Sequence, residues 1–279
     1  MQRYLLCLCV GVLAALFSSC GHSGNTADDQ GVKIAYTDAG HGDTTLLFVH
    51  GWDLNKGYWS NQEDYFKNRY RVVAIDLPGF GESGTNRTDW TTENYGRDVD
   101  SVMSQLNLGK VVLVGHSMAG DIVLDAALHA PGRVIGLVGV DNFKSILPET
   151  AAQKADDART FVVLKEGYHV AAQDYFKNDL FYKTPDSIQR RILTDVVNAD
   201  SAIAIAALQG QNYDETKGLQ TWGKKLYLIN SDYTRTDTAA LGTAHIPYEV
   251  TYIHDTGHFP MVEKPSDFNA ALEGVLGKL

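Results

Sequence analysis

The segment around Ser117 has the residue types of a serine nucleophile at a strained turn. The run KVVLVGHSMAG, residues 110–120, begins with an apolar, β-branched segment that is typical of a strand buried in a parallel sheet. Residues 121–130 then have helical spacing, and Pro131 and Gly132 follow them as a helix stop. A serine between such a strand and such a helix is held clear of the sheet. We therefore predict that Ser117 attacks an acyl carbonyl.

A serine hydroxyl is a weak nucleophile, so a general base must take its proton. We predict that His258 is this base, because it lies in the segment DTGHFP, residues 255–260, after the last predicted strand. His50 and His116 belong to motifs that shape the backbone, and His254 is nearer the end of that strand. The remaining histidines match no motif: His22, His41, His129, His169 and His245.

Apolar runs that alternate with helical segments predict the elements that must position these residues. Strands are predicted at residues 31–39, 45–49, 71–75, 110–114, 134–140, 226–230 and 248–253, the first of them as an edge strand. This alternation predicts an α/β fold with a mostly parallel sheet and helices on both faces, which binds ligands at the carboxyl ends of its strands. Several residues with reactive or polar groups follow these strands: His50, Asp76, Ser117, Asp141, Asp232 and His258.

Residues 142–219 have no strong strand pattern. Helices are predicted within this segment at residues 149–166, 168–178, 185–197 and 199–209. The segment is therefore interpreted as a helical cap, inserted before the penultimate strand and placed above the carboxyl edge of the sheet.

Four motifs, taken together and in this order, resemble those of the α/β-hydrolase superfamily, in its serine esterase-like branch with a helical cap. They are HGW at 50–52, DLPGFGES at 76–83, GHSMAG at 115–120 and DTGHFPMVEKP at 255–265. The resemblance implies an α/β-hydrolase domain over residues 31–279, with the cap at about 142–219. It also implies that the backbone N–H groups of Trp52 and Met118 form the oxyanion hole, which stabilises the charge that develops on the carbonyl oxygen.

The resemblance leaves two candidates for the acid that orients His258. Many relatives place this acid after the penultimate strand, where the chain has NSDYT, residues 230–234. Thr234 stands at the usual acid position, and Asp232 is two residues early. Other branches take the acid from the end of the strand before the cap, where Asp141 stands. We favour Asp141 and keep Asp232 as the alternative.

These residues predict a serine-dependent hydrolase of carboxylic esters or related small acyl compounds, with an acyl-enzyme intermediate and with neither cofactor nor metal. In dehalogenases and epoxide hydrolases, the turn between this strand and this helix (the nucleophile elbow) usually carries aspartate, so Ser117 argues against both activities. One alternative is an aminopeptidase-like relative, which would need carboxylates in the cap to hold a substrate amine, with Glu149, Glu166 and Asp174 as candidates. The other is a non-catalytic binding protein with the hydrolase fold, which loss of the acid would favour.

The N-terminal segment predicts export and attachment to a membrane. Arg3 precedes the apolar run YLLCLCVGVLAALF, residues 4–17, which is typical of a signal peptide. The tetrapeptide Phe17-Ser18-Ser19-Cys20 resembles a bacterial lipobox. We therefore expect a signal peptide over residues 1–19, a lipid anchor on Cys20 and a polar tether over residues 20–30, with the protein in the cell envelope on the periplasmic or surface side. The alternative is a secreted protein cut near Ser19.

Length, charge and cysteine content limit the number of domains, the kinds of partner and the kinds of cross-link that the chain can have. The 279 residues allow one large α/β domain. The formal net charge of −10 at pH 7 argues against a nucleic-acid partner, for which a basic face would be expected. All three cysteines, Cys7, Cys9 and Cys20, lie near the N-terminus, so we expect neither a disulfide nor a cysteine-based metal site in the mature domain.

Overall fold

The computed structural model describes residues 25–279 and contains an eight-stranded sheet. Its strands are β1 Asn25–Asp29, β2 Val32–Gly40, β3 Thr44–Val49, β4 Arg71–Ile75, β5 Lys110–His116, β6 Val134–Val140, β7 Leu226–Ser231 and β8 Tyr248–Ile253. They are ordered β1-β2-β4-β3-β5-β6-β7-β8, and every pair from β4 onwards in that order is parallel. The prediction of a mostly parallel sheet is confirmed.

Helices pack against this sheet and against one another. Within residues 25–279 the α-helices are α1 Ser60–Phe66, α2 Thr92–Gln105, α3 Ala119–His129, α4 Ala151–Tyr175, α5 Asp186–Asn198, α6 Ser201–Gln209, α7 Glu215–Trp222, α8 Thr238–Thr243, α9 Pro260–Glu263 and α10 Pro265–Leu276. Helix α3 packs on β5 and β6, and α2 packs on α3, whereas α10 packs on β7 and β8. The elements that follow β5 and β8 are therefore held by the core of the domain.

The central strands are buried along almost their whole length. In β5 every residue after Lys110 is buried, and in β6 only the second residue is partly exposed. Strands covered on both faces need apolar residues at consecutive positions, and β-branched valines fit a pleated surface well. The continuous apolar runs in the sequence are explained by this double covering.

The N-terminal edge of the sheet differs from the prediction. Strand β1 lies within the predicted tether, residues 20–30, and pairs antiparallel with β2, so β2 is not the edge strand. Only Ala27 is buried in β1, and the side chain of Gln105 both donates to and accepts from the backbone of Asp28. An edge strand that buries one residue can be polar elsewhere, which is why the composition resembles a tether. The predicted signal peptide, residues 1–19, and Cys20 lie outside the described residues.

The predicted insertion before the penultimate strand contains α4 to α7, between β6 and β7. The two helices predicted at 149–166 and 168–178 correspond to the two parts of α4, which spans 25 residues and is interrupted at Gly167, where φ −162° and ψ 63° are not helical. A capping box between Thr150 and Gln153 begins this helix. A π-helical turn, Phe176–Leu180, follows it. Helix α7 was not predicted as a separate element.

Within residues 25–279, no single helix is both long enough and apolar enough to cross a membrane. Helices α5 and α6 meet those limits only as a pair, and they are bent by 97° relative to each other.

Candidate active site

Ser117 stands at the sharp turn between β5 and α3. Its φ is +53°, a left-handed conformation that is uncommon for a residue with a side chain. The turn is held because the Ser117 amide donates to the carbonyl oxygen of Val140 at 3.0 Å. A Cβ on Gly115 would lie 2.4 Å from the carbonyl oxygen of Ala119, so only glycine allows this close approach of strand and helix. Strain of this kind is maintained at functional sites by the surrounding structure.

His258 is oriented by Asp141. The ring Nδ1 of His258 donates to Oδ2 of Asp141 at 2.6 Å, and the Asp141 side chain is fully buried. The backbone N–H of His258 donates to the carbonyl oxygen of Leu180 in the cap, at 2.9 Å. A carboxylate on Nδ1 fixes the tautomer that leaves Nε2 free to accept a proton. The predicted base and the favoured acid are therefore in contact.

The other oxygen of Asp141 has three partners. Its Oδ1 accepts from the backbone N–H of Ser231 at 2.7 Å and from the Ser231 hydroxyl at 2.5 Å. The Lys144 ammonium lies 2.9 Å from the same oxygen. Burial alone would raise the pKa of Asp141, but the hydrogen bond and charge of His258, with Lys144 and Ser231, lower it well below its ordinary value. Asp141 is therefore held as an anion in one orientation.

Asp232 does not reach His258 but pairs with His254. The distance from Oδ2 of Asp232 to Nδ1 of His254 is 2.6 Å, and both side chains are largely exposed. The hydrogen bond from His254 lowers the pKa of Asp232. Asp141 directly follows β6, which lies between β5 and β7, whereas Asp232 follows β7 and faces solvent.

Trp52 and Met118 bring two backbone amides to Ser117. A Cβ on Gly51 would lie 3.0 Å from Cβ of Ser117, so the loop that carries Trp52 packs directly on the serine. Met118 is the N-cap residue of α3, where backbone N–H groups have no partner within the helix. Among residues 25–279 neither amide donates to a protein acceptor. Both are therefore free to bind an oxyanion.

Two other histidines near the site hold the backbone in place. His50 accepts from the amide of Leu77 through Nε2 at 3.0 Å, and its Nδ1 donates to the carbonyl oxygen of Gly51 at 2.8 Å. Nε2 of His116 donates to the carbonyl oxygen of His258 at 2.7 Å. Burial lowers the pKa of His116 to about 3, so this ring is neutral at physiological pH. Their sequence-based assignment to backbone-shaping motifs agrees with these contacts.

The cap is tied to the loop that carries Trp52. The indole N–H of Trp52 donates to the carbonyl oxygen of Ala204 in α6 at 2.9 Å, and its ring stacks on Phe176. The hydroxyl of Tyr168, in α4, donates to the carboxyl group of Asp53. Burial raises the pKa of Asp53 to about 7, and the hydrogen bond from Tyr168 opposes that change. The position of the Trp52 loop therefore depends on the cap.

Two cavities meet at Ser117 and Met118. The first has a volume of about 140 Å³ and is lined mainly by aromatic and apolar side chains, with His258 on its wall. Its apolar lining residues are Trp52, Met118, Tyr175, Phe176, Leu180, Leu208 and Phe259. The second has a volume of about 260 Å³ and has charged residues in its lining, among them Asp121, Lys144 and Glu215. Within residues 25–279 there is no group of three potential metal-ligating side chains.

The residues that contact Asp141 and those that line the second cavity were not predicted from the sequence. Lys144 and Ser231 have local signals, since one follows Asp141 by three residues and the other ends β7. Asp121 and Glu215 lie in helices that are far apart in the chain, so only the folded structure shows that their side chains meet.

The comparisons with known proteins agree with this geometry. The alpha/beta hydrolase fold family matches residues 44–265. The chain is 28% identical to the dihydrolipoyllysine-residue acetyltransferase component of an acetoin cleaving system from Cupriavidus necator, over 90% of this chain and 68% of that protein. It is 24% identical to 3-oxoadipate enol-lactonase 2 from Acinetobacter baylyi, over 91% of this chain and 97% of that protein.

Solved structures share the fold as well. An esterase from Exiguobacterium antarcticum superposes with a TM-score of 0.80 at 20% sequence identity, over 91% of this chain and 99% of that chain. The family match spans most of the chain, and the mostly parallel eight-stranded sheet is the one predicted for that fold. The chain therefore belongs to the α/β-hydrolase fold family, with esterases among its structural neighbours.

Proposed function

We propose that this protein is a serine hydrolase that cleaves carboxylic esters through an acyl-enzyme intermediate. Ser117 is the nucleophile, His258 the general base, and Asp141 the acid that orients His258. The observation that carries the proposal is the 2.6 Å contact between Oδ2 of Asp141 and Nδ1 of His258. Ser117, which has φ +53°, lines the same cavity as His258. Similarity to esterases and to an enol-lactonase supports an ester as the substrate.

The reaction follows from the position of these groups. As Oγ of Ser117 bonds to the carbonyl carbon, its proton passes to Nε2 of His258, and the amides of Trp52 and Met118 donate to the oxyanion. His258 then gives the proton to the departing alcohol oxygen as the C–O bond breaks, which leaves an ester on Ser117. A water molecule, deprotonated by His258, cleaves that ester and restores the serine.

The two alternative functions have less support. The non-catalytic alternative depended on the absence of an acid beside His258, and Asp141 is in contact with that ring. The carboxylates expected to hold an amine in the cap, Glu149, Glu166 and Asp174, are exposed and line neither cavity. The apolar lining of the first cavity fits a short acyl or alkyl group better than a charged one.

Burst kinetics test the intermediate. With a 4-nitrophenyl ester of a short fatty acid, the purified protein should release about one equivalent of 4-nitrophenol per active site before the steady state, provided that deacylation is slower than acylation. Slowing deacylation with a bulkier acyl group makes the burst measurable. Hydrolysis that proceeds with no detectable covalent intermediate by rapid-quench mass spectrometry would contradict the acyl-enzyme mechanism.

Lys144 should set the acidic limb of the pH profile. Its ammonium pairs with the Asp141 carboxylate that orients His258 and is one of the charges that lower the pKa of Asp141, so Lys144→Met should raise that pKa. Because only ionised Asp141 orients the imidazole as a base, kcat/KM of the variant should begin to fall at a higher pH on the acidic side than that of the wild type. The matched control is Lys183→Met, since Lys183 pairs with Asp255 at the surface. An unchanged limb, or an equal shift in the control, would contradict this role.

We also propose that the protein is exported and anchored to a membrane by lipid on Cys20. The lipobox-like sequence and the apolar run before it support this proposal. A single acyl chain gives only marginal anchoring, so a stably anchored protein needs several chains. Mass spectrometry of the N-terminal peptide from the native host should find acylated Cys20. An unmodified N-terminus at another residue would convert the proposal to a secreted protein.

A further inference from the structure

The second cavity is a candidate binding site for the part of the substrate that does not occupy the first cavity. It lies between the beginning of α3, the segment after β6, and α7. It shares Ser117, Met118 and Gln211 with the first cavity. A substrate bound with its carbonyl at Ser117 has two substituents, one on the acyl side and one on the alcohol side. Two cavities that meet at the nucleophile can therefore take one substituent each.

The polar wall of this cavity contains a carboxyl pair. Asp121 and Glu215 both line the cavity, and their carboxyl groups lie close enough to act on each other, so the pair favours either a shared proton or a cation. Burial raises the pKa of both, and the charge of Asp121 raises that of Glu215 further. Part of Asp121 reaches the surface, but its Oδ1 is fully buried and accepts from no described protein donor. A buried carboxyl oxygen without a donor favours a proton on one of the two carboxyls. The oxygens of the pair that reach the cavity favour a ligand that supplies N–H groups.

No protein cation neutralises the pair in the described part of the chain. Besides Glu215, the charged group that acts on Asp121 is the carboxylate of Glu93, which repels a negative charge on Asp121 and raises its pKa. Lys144 lines the same cavity, but its ammonium is bound to Asp141 and the Ser231 hydroxyl, at 2.9 and 3.2 Å. The positive charge that the two carboxyls lack must therefore come from a proton or from a bound molecule.

We propose that the second cavity binds a protonated amine of the substrate through Asp121 and Glu215, so that the preferred substrates are esters with an ammonium group near the scissile carbonyl. The proposal rests on the proposed ester hydrolysis and names its substrate class. An ammonium N–H donates to both carboxyls at once, replacing the proton that they otherwise share. The apolar substituent on the other side of the carbonyl then occupies the first cavity.

Matched substrates test the preference at pH 7, where tertiary amines are protonated. For an amine on the alcohol side, 2-(dimethylamino)ethyl acetate is compared with 3-methylbutyl acetate, which has the same shape and no charge. For the acyl side, phenyl 4-(dimethylamino)butanoate is compared with phenyl 5-methylhexanoate. In one of the two pairs, the ammonium ester should have a kcat/KM about 10- to 100-fold higher than its neutral match, the effect of a charged hydrogen bond.

Variants of Asp121 and Glu215 test whether these two residues cause the preference for ammonium esters. Glu215→Gln and Asp121→Asn keep the shape of the cavity, and each should reduce the ratio of the two kcat/KM values to about three or less. Glu166→Gln, which removes one exposed negative charge from the cap, should leave that ratio unchanged and so controls for net charge. If one cavity variant fails to fold, the other variant and the kcat/KM ratios of the wild type still test the proposal.

Two results would overturn the proposal: wild-type ratios near one in both substrate pairs, or a preference that both cavity variants retain. Either result leaves ester hydrolysis itself intact, since the neutral esters report it independently. Absence of hydrolysis of all four esters, together with absence of an acyl-enzyme, would instead overturn the proposed function.

Discussion

Replacing Asp141 with asparagine should lower kcat for ester hydrolysis by about 10³–10⁴-fold, whereas Asp232→Asn should lower it by less than about threefold. A neutral side-chain amide in place of the Asp141 carboxylate cannot hold Nδ1–H of His258 as an anion does, and it favours the wrong tautomer of the ring. Asp232 contacts His254 at the surface and has no contact with His258, so its charge is screened by solvent. The two variants remove the same charge from two residues that follow neighbouring strands.

Folding controls separate catalysis from stability in this comparison. Asp141 also accepts from Ser231 and pairs with Lys144, so Asp141→Asn weakens a buried network and should lower the melting temperature. Circular dichroism and thermal unfolding therefore accompany the kinetics, which are measured well below the lower melting temperature. Equal losses in both folded variants, or a larger loss in Asp232→Asn, would show that the acid was assigned to the wrong residue.

Ser117→Ala should have the largest effect, a loss of about 10⁵-fold or more in kcat, which leaves only the rate enhancement supplied by the oxyanion hole and by binding. The variant removes one oxygen atom from a turn that is fixed by the Ser117 amide and by close packing of Gly115, so the elbow should keep its conformation. Kinetics on a 4-nitrophenyl ester measure the loss. A folded Ser117→Ala protein that keeps more than about one per cent of the wild-type rate would exclude Ser117 as the nucleophile.

The sheet could be predicted because its central strands are buried on both faces. Such strands require consecutive apolar residues, and β5 and β6 consist of them almost entirely. The edge strand β1 could not be predicted, since it buries only Ala27 and its remaining residues have the composition of a linker. The break at Gly167 could be predicted, because glycine is a poor helix former and here has non-helical backbone angles.

The nucleophile and the base have local signals, whereas the acid and the polar cavity depend on tertiary structure. Ser117 and His258 each lie in a motif that is confined to a few residues. Both Asp141 and Asp232 follow strands, and which of them turns toward His258 depends on the order of the strands and on the loop after β7. Asp121 and Glu215 come together only through the packing of α3 and α7. Such long-range pairs have no local signal in the sequence.

Covalent labelling with a fluorophosphonate identifies the nucleophile, because the reagent phosphonylates an activated serine and then stays bound. Peptide mapping of the labelled wild-type protein should place one phosphonate on Ser117, and Ser117→Ala should remain unlabelled. Asp141→Asn should be labelled much more slowly than the wild type, since its His258 is poorly oriented. A phosphonate mapped to another residue, or labelling of folded Ser117→Ala at the wild-type rate, would contradict the account.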